Sequence, residues 1–248
     1  RLIIEHGKSN TPQPAIGHLT PAAFVKFGDT CISALGSLPA EIRTARQDIM
    51  KLWERIAIRG NRDVFYYDTR QTFEAEDFAS RLYDMICAEQ ENGKVAGVLF
   101  LCIGTDRSTG DSLGPLIGYK LKERGLEYLE ILGTLERPVH AMNLETYQAI
   151  LKLRYPDHVV VAVDASVGSM EHIGYVTLGK GALKPGLGVS KELRAVGDIF
   201  ITGIVGSCGN YDPLMLQSIR LSVVMRMADC ISYSIYLVEK LWENTAPL

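Results

Sequence analysis

The run Val159-Val160-Val161-Ala162-Val163 passes directly into a charged residue, Asp164, with no turn residue between them. β-Branched residues favour strands. No polar residue alternates with them, so this strand calls for cover on both faces, as in the middle of a parallel sheet. Its expected span is 158–163. Parallel neighbours must be joined by crossovers, usually helices. The chain supplies them: amphipathic helices are expected at 73–89, 112–124 and 144–154, the last with Asn143 as N-cap. Further strands are expected at 95–103, 128–132, 175–179 and 200–205. A long apolar helical pattern, 213–242, closes the chain, with Asp212 as N-cap. Strands alternating with helices predict an α/β protein with a mainly parallel sheet covered on both faces.

Residues 1–60 read differently and are expected to form a helical N-terminal extension ahead of an α/β domain at 61–248. Thr20-Pro21 is a good helix start, with Thr as N-cap and Pro in the first turn. A second stretch, 39–58, places Ile42, Ile49, Leu52, Trp53 and Ile56 at helical spacing. Neither stretch carries a catalytic constellation. These helices and the apolar C-terminal helix point to self-association, so a homo-oligomer is expected.

Composition excludes several classes. A net charge of -3 gives no overall pull toward nucleic acid or an anionic membrane. No uninterrupted apolar run reaches roughly 18 residues, so no membrane span is expected. The apolar stretch in Arg1-Leu2-Ile3-Ile4-Glu5-His6 is too short for a signal peptide. Cys31, Cys87, Cys102, Cys208 and Cys230 are scattered and lack C-x-x-C spacing. That pattern suits a reducing compartment rather than a disulfide framework or a zinc knuckle. Cys102 and Cys230 are expected to be inert packing residues.

The chemistry concentrates in Cys102-Ile103-Gly104-Thr105-Asp106-Arg107-Ser108-Thr109-Gly110-Asp111-Ser112-Leu113-Gly114-Pro115-Leu116. This segment joins a strand to a helix, and ligands of open α/β sheets bind at the carboxyl ends of strands. It is not a P-loop, because Asp111 follows Gly110 where a phosphate-binding Lys would stand. The dinucleotide fingerprint G-x-G-x-x-G is also missing. Asp111 reads as a helix N-cap, as a catalytic carboxylate, or as both. Asp164 emerges at the same sheet edge. Two carboxylates in one pocket do not ionise together easily, which supplies a base and an acid. Arg107 either pairs with Asp106 or positions a substrate carbonyl. No G-x-S-x-G elbow surrounds Ser108, Thr109 or Ser112, so a serine hydrolase is not expected. His140, after the second strand of the α/β series, is a candidate third member. His140 or His172 with both aspartates could form an oxygen/nitrogen metal site. No local metal motif supports this, so no resident metal and no cofactor are expected. The Gly- and Pro-rich stretch 179–189 reads as a loop whose backbone can approach a ligand closely or as a turn series joining two strands, and the segment 206–210 is expected to rim the pocket.

Five motifs carry a resemblance: 104–115 (Gly-Thr-Asp-Arg-Ser-Thr-Gly-Asp-Ser-Leu-Gly-Pro), 138–144, 163–166 (Val-Asp-Ala-Ser), 184–189 and 197–205. Together they resemble the YyaC-type sporulation proteins, relatives of the spore germination protease and more remotely of the hydrogenase-maturation endopeptidases. The resemblance spans about residues 65–242. It implies a three-layer α/β/α sandwich of the phosphorylase/hydrolase type, in the cytoplasm (forespore or mother cell) of an endospore-forming bacterium. In the germination protease two aspartates are the presumed catalytic pair, and their motifs carry over to Asp111 and Asp164. In the hydrogenase-maturation relatives, acidic residues and a His bind nickel of the substrate protein. The expectation is a sporulation-associated endopeptidase acting on a protein or peptide, with small acid-soluble spore proteins as the implied substrate. Thr105, Asp106, Arg107, Ser108 and His140 are the expected substrate-binding residues. The rivals are a non-enzymatic sporulation factor with a binding pocket, and a metal-assisted hydrolase of a non-peptide amide.

Overall fold

A computed structural model describes residues 64–185, 194–207 and 216–245. The expected helices within 1–60, most of the 184–189 motif, the segment 208–210 and the Asp212 cap lie outside the described residues. The elements in chain order are β1 (Val64–Asp68), α1 (Ala75–Glu91), β2 (Gly97–Cys102), α2 (Leu113–Glu123), β3 (Leu129–Leu132), α3 (Leu144–Arg154), β4 (His158–Gly168), β5 (Tyr175–Lys180), β6 (Ile199–Ser207) and α4 (Leu221–Thr245).

Six strands form one sheet in the order β1-β5-β6-β4-β2-β3. β3, β2, β4 and β6 pair in parallel. β5 runs against β6, and β1 against β5. The short link from β4 to β5, which holds only the 3-10 turn Met170–His172, explains the reversal. A parallel return needs a dozen or more residues.

The central strands are buried on both faces, as the valine run requires. Val98, Phe100, Cys102, Val159, Val161 and Val163 pack toward one core, with Phe78, Leu82 and Ile86 of α1, Ile117 and Leu121 of α2, and Met227, Ile231 and Ile235 of α4. Leu99, Leu101, Val160 and Ala162 point the other way, against Leu144 and Leu151 of α3. The arrangement is a three-layer α/β/α sandwich. A fully buried Leu or Phe contributes about 1.5–3 kcal/mol, so this two-sided core is the main stabilising element.

Some boundaries differ from expectation. β1 was not expected: three aromatics in five residues give too short a pattern, and its edge position exists only through pairing with β5. The last helix begins at Leu221, not 213; residues 216–220 form a short 3-10 turn and bends. Leu221–Glu243 is long and apolar enough, by length and composition, to cross a membrane. Here its apolar face is spent on the core, and Ser232, Ser234 and Glu239 are buried with it. Asn143 does not cap α3 through its side chain. Its Oδ1 instead accepts from the His140 N–H and its Nδ2 donates to the Pro138 carbonyl, which ties the preceding loop.

Candidate active site

β2 is followed in sequence by α2 and β3 on one side of it, while the chain returns through α3 to form β4 on its other side. The crevice outside the carboxyl ends of β2 and β4 is therefore a topological switch point, the usual ligand site of open α/β sheets. Asp111 and Asp164 both stand there.

Asp111 lies in a 3-10 turn, Gly110–Ser112, that precedes α2. The N-cap position of α2 is Ser112, so the capping reading of Asp111 is not what the structure has. The turn is held by backbone bonds: the Thr105 N–H donates to the Asp111 carbonyl at 3.0 Å, and the Asp111 N–H to the Ser108 carbonyl at 3.1 Å. Gly104 makes this closure possible. Its φ of 140° suits glycine, and a Cβ there would strike the Asp111 carbonyl. Gly114 is equally constrained, since a Cβ would strike the backbone of Ile103. The glycines of the motif thus press the helix start against the end of β2 and set where Asp111 points.

Asp164 is not at the end of its strand. β4 runs on to Gly168, with Asp164 opposite Thr202 of β6. Its side chain is buried, and its Oδ1 accepts the Ala165 N–H at 2.8 Å. Burial pushes the Asp164 carboxyl well above the ordinary range, and the nearby charge of Asp111 pushes it further. Burial also raises Asp111, to about 6, against a smaller opposing pull from the Thr105 N–H. Among the described residues no cation pairs with either carboxylate. Two carboxylates this close with no cation beside them do not ionise together easily, so the pair tends to share one proton.

The remaining expected residues divide. Asp106 and Arg107 are exposed at the rim of the loop, with no ion pair between them; the Arg107 N–H donates to Thr105 Oγ1 at 3.3 Å. Ser108 Oγ is buried with no hydrogen-bond partner among the described residues. His140 is brought to this edge because Val139 bridges to Ile103. Its Nδ1 accepts from the Met142 N–H at 3.3 Å, so the ring serves its own loop. His172 stands apart, with Nδ1 on Ser169 Oγ and its ring edge on Tyr175. Among the described residues no three metal-ligating side chains cluster. Burial pushes the Cys102 thiol up to about 12, so it is no nucleophile.

Two features escaped the sequence. Thr177 and Thr202 share a buried hydroxyl–hydroxyl bond of 2.6 Å beside Asp164; in sequence they are ordinary strand threonines. A groove of about 400 Å³ lies at the opposite, amino-terminal edge of the sheet, between α3 and residues 194–198. It holds the Lys94–Asp198 ion pair and is remote from the aspartates.

The family model described as "Protein of unknown function (DUF1256)" matches residues 66–234. The "Uncharacterized protein YyaC" of Bacillus subtilis (strain 168) is 44% identical over 149 residues, covering 59% of this chain and 73% of the relative. Among solved structures, a [NiFe] hydrogenase maturation protease, HycI, from Thermococcus kodakarensis KOD1 aligns with a TM-score of 0.36 and 18% identity. It covers 61% of this chain and 98% of that one.

Proposed function

The chain belongs to the family described as Protein of unknown function (DUF1256), and we propose that it is a peptidase that hydrolyses peptide bonds with an aspartate pair. One observation carries this reading: two carboxylates share a strand-end crevice, both with raised pKa, and neither is neutralised by a cation among the described residues. Structural carboxylates are ordinarily paired or exposed. A pair whose environments push the two pKa values apart is the arrangement of an acid and a base.

In this reading Asp111, the more readily ionised member, takes a proton from water as the water oxygen bonds to the peptide carbonyl carbon. Asp164 gives its proton to the carbonyl oxygen, forming a gem-diol. The C–N bond then breaks as Asp111 passes its proton to the departing nitrogen and Asp164 regains one from the diol. Backbone N–H groups of the 104–110 loop that are not engaged within it, and the Arg107 side chain at the rim, would hold the substrate. A sporulation role, with small acid-soluble spore proteins as substrates, follows from the resemblance to the germination protease.

The test is cleavage of a pool of small acid-soluble spore proteins, read by mass spectrometry, with Asp111→Asn and Asp164→Asn beside the parent. Cleavage that both variants lose supports the reading. Folded parent protein that leaves the pool intact, with and without divalent metal, refutes it.

A further inference from the structure

A peptidase needs a way to hold a polypeptide beside its carboxylates, and β4 has backbone available for this. Up to Val163 it is paired on both sides, with β2 and with β6. From Asp164 to Gly168 its strand partner is β6 alone, among the described residues. Among the described residues no strand follows β2 on the other edge, because the chain leaves β2 sideways. The Ile103 N–H donates to the Val163 carbonyl at 2.7 Å, and the next N–H, of Gly104, turns away to the Val139 carbonyl at 2.8 Å.

The direction of each backbone group follows from this. Successive residues of a strand address opposite neighbours. Val163 addresses β2, so Ala165 and Val167 address the open edge. The single extra residue of the bulge, Val205, lies on β6, which leaves the alternation of β4 intact. The Ala165 N–H is taken by Asp164 Oδ1. That bond draws the Asp164 carboxyl round to the open side. Among the described residues, the Ala165 carbonyl and both backbone groups of Val167 have no partner on this edge. Residues 165–168 are half-buried.

We infer that the Asp164–Gly168 edge of β4 is a subsite that takes an extended segment of unfolded polypeptide as an added strand. The inference rests on the peptidase reading and deepens it by naming the substrate class. Strand addition draws affinity from main-chain hydrogen bonds and specificity from alternate side chains. It selects a chain that is free to extend, and it lays that chain beside the carboxyl that Ala165 holds at the same edge.

The test uses the full chain carrying Asp111→Asn, which keeps the edge intact. The probe is reduced, carboxymethylated lactalbumin, an unfolded polypeptide. Binding is read by fluorescence anisotropy and amide exchange by mass spectrometry. Probe binding is expected to slow exchange across 165–168 by about tenfold. No binding, or binding without protection there, overturns the inference. Cleavage by the parent is measured in parallel. Cleavage without protection leaves the peptidase reading standing and removes the added strand; protection without cleavage does the reverse. Val167→Pro, which deletes an edge N–H that no described strand uses, is expected to weaken probe binding about fivefold. Unchanged binding by that variant counts against the subsite. If it fails to fold, the exchange measurement still decides.

Discussion

Replacing Asp111 by Asn should make the protein more stable at neutral pH, although it removes a proposed catalytic group. The reasoning runs through linkage. The Asp111 pKa rises from 3.8 to about 6 on folding. A group whose folded pKa is raised contributes stability that is fully present below the unfolded pKa and is lost as pH rises through the folded one. The window is therefore about pH 4 to pH 7. A shift of that size corresponds to about 3 kcal/mol, which solvent reaching the half-buried carboxyl trims to about 2 kcal/mol. Removing the Asp111 charge also relieves Asp164, which adds to the gain. Other carboxylates pull the opposite way: Asp68 and Asp77 are held below the usual range by Arg70 and Arg81. They are common to both proteins, so they cancel in the difference. The assay is urea unfolding of parent and Asp111→Asn at half-unit steps from pH 4 to pH 8. The curves should nearly meet at pH 4 and diverge by about 2 kcal/mol at pH 8, a rise in midpoint temperature of about 2–4 °C per kcal/mol. A pH-independent difference, or a variant less stable than the parent at pH 8, would refute the placement of Asp111 in a desolvated site.

Other expectations follow from the same geometry. Peptidase activity should rise with pH through about 6, as Asp111 ionises, and fall at higher pH when the pair loses its second proton; a flat profile of kcat/KM over pH 4–9 would exclude the acid–base pair. Gly118→Ala places a Cβ against the Gly133 carbonyl, where α2 crosses the end of β3, and should cost about 1–3 kcal/mol in thermal unfolding. Glu239→Ala removes the carboxylate oxygen that accepts the Glu127 and Tyr128 N–H groups at 2.5 and 3.2 Å. Chemical denaturation should register a loss of about 1 kcal/mol for these part-buried bonds. Thr202→Val strands the Thr177 hydroxyl, and a loss of about 1–3 kcal/mol is expected, while the double variant with Thr177→Val should recover most of it.

The sheet was legible because burial on both faces leaves a local mark. Val159–Val163 and the apolar run through Leu99–Leu101 lack alternation, and no exposed strand needs such a run. The crevice was legible for a related reason: Asp111 follows a glycine-bounded loop after β2, and Asp164 follows an apolar run, although β4 continues past it to Gly168. Local patterning thus carries the class of fold and the cover on both faces, and it singles out Asp111 and Asp164 as candidates.

Tertiary structure decided what depends on distant partners. β1 exists because β5 pairs with it, and β5 is reversed because its link to β4 is too short to cross over. How far the Asp164 carboxyl is pushed above its ordinary range depends on how deeply neighbouring strands bury it, which no local pattern records. The overhang of β4 arises only because β2 stops at Cys102 and its chain turns to Val139, while β6 continues alongside to Ser207. A local sequence encodes which faces of an element are apolar. Where its neighbours end, and hence which backbone edge stays open beside the carboxylates, is set by contacts far apart along the chain.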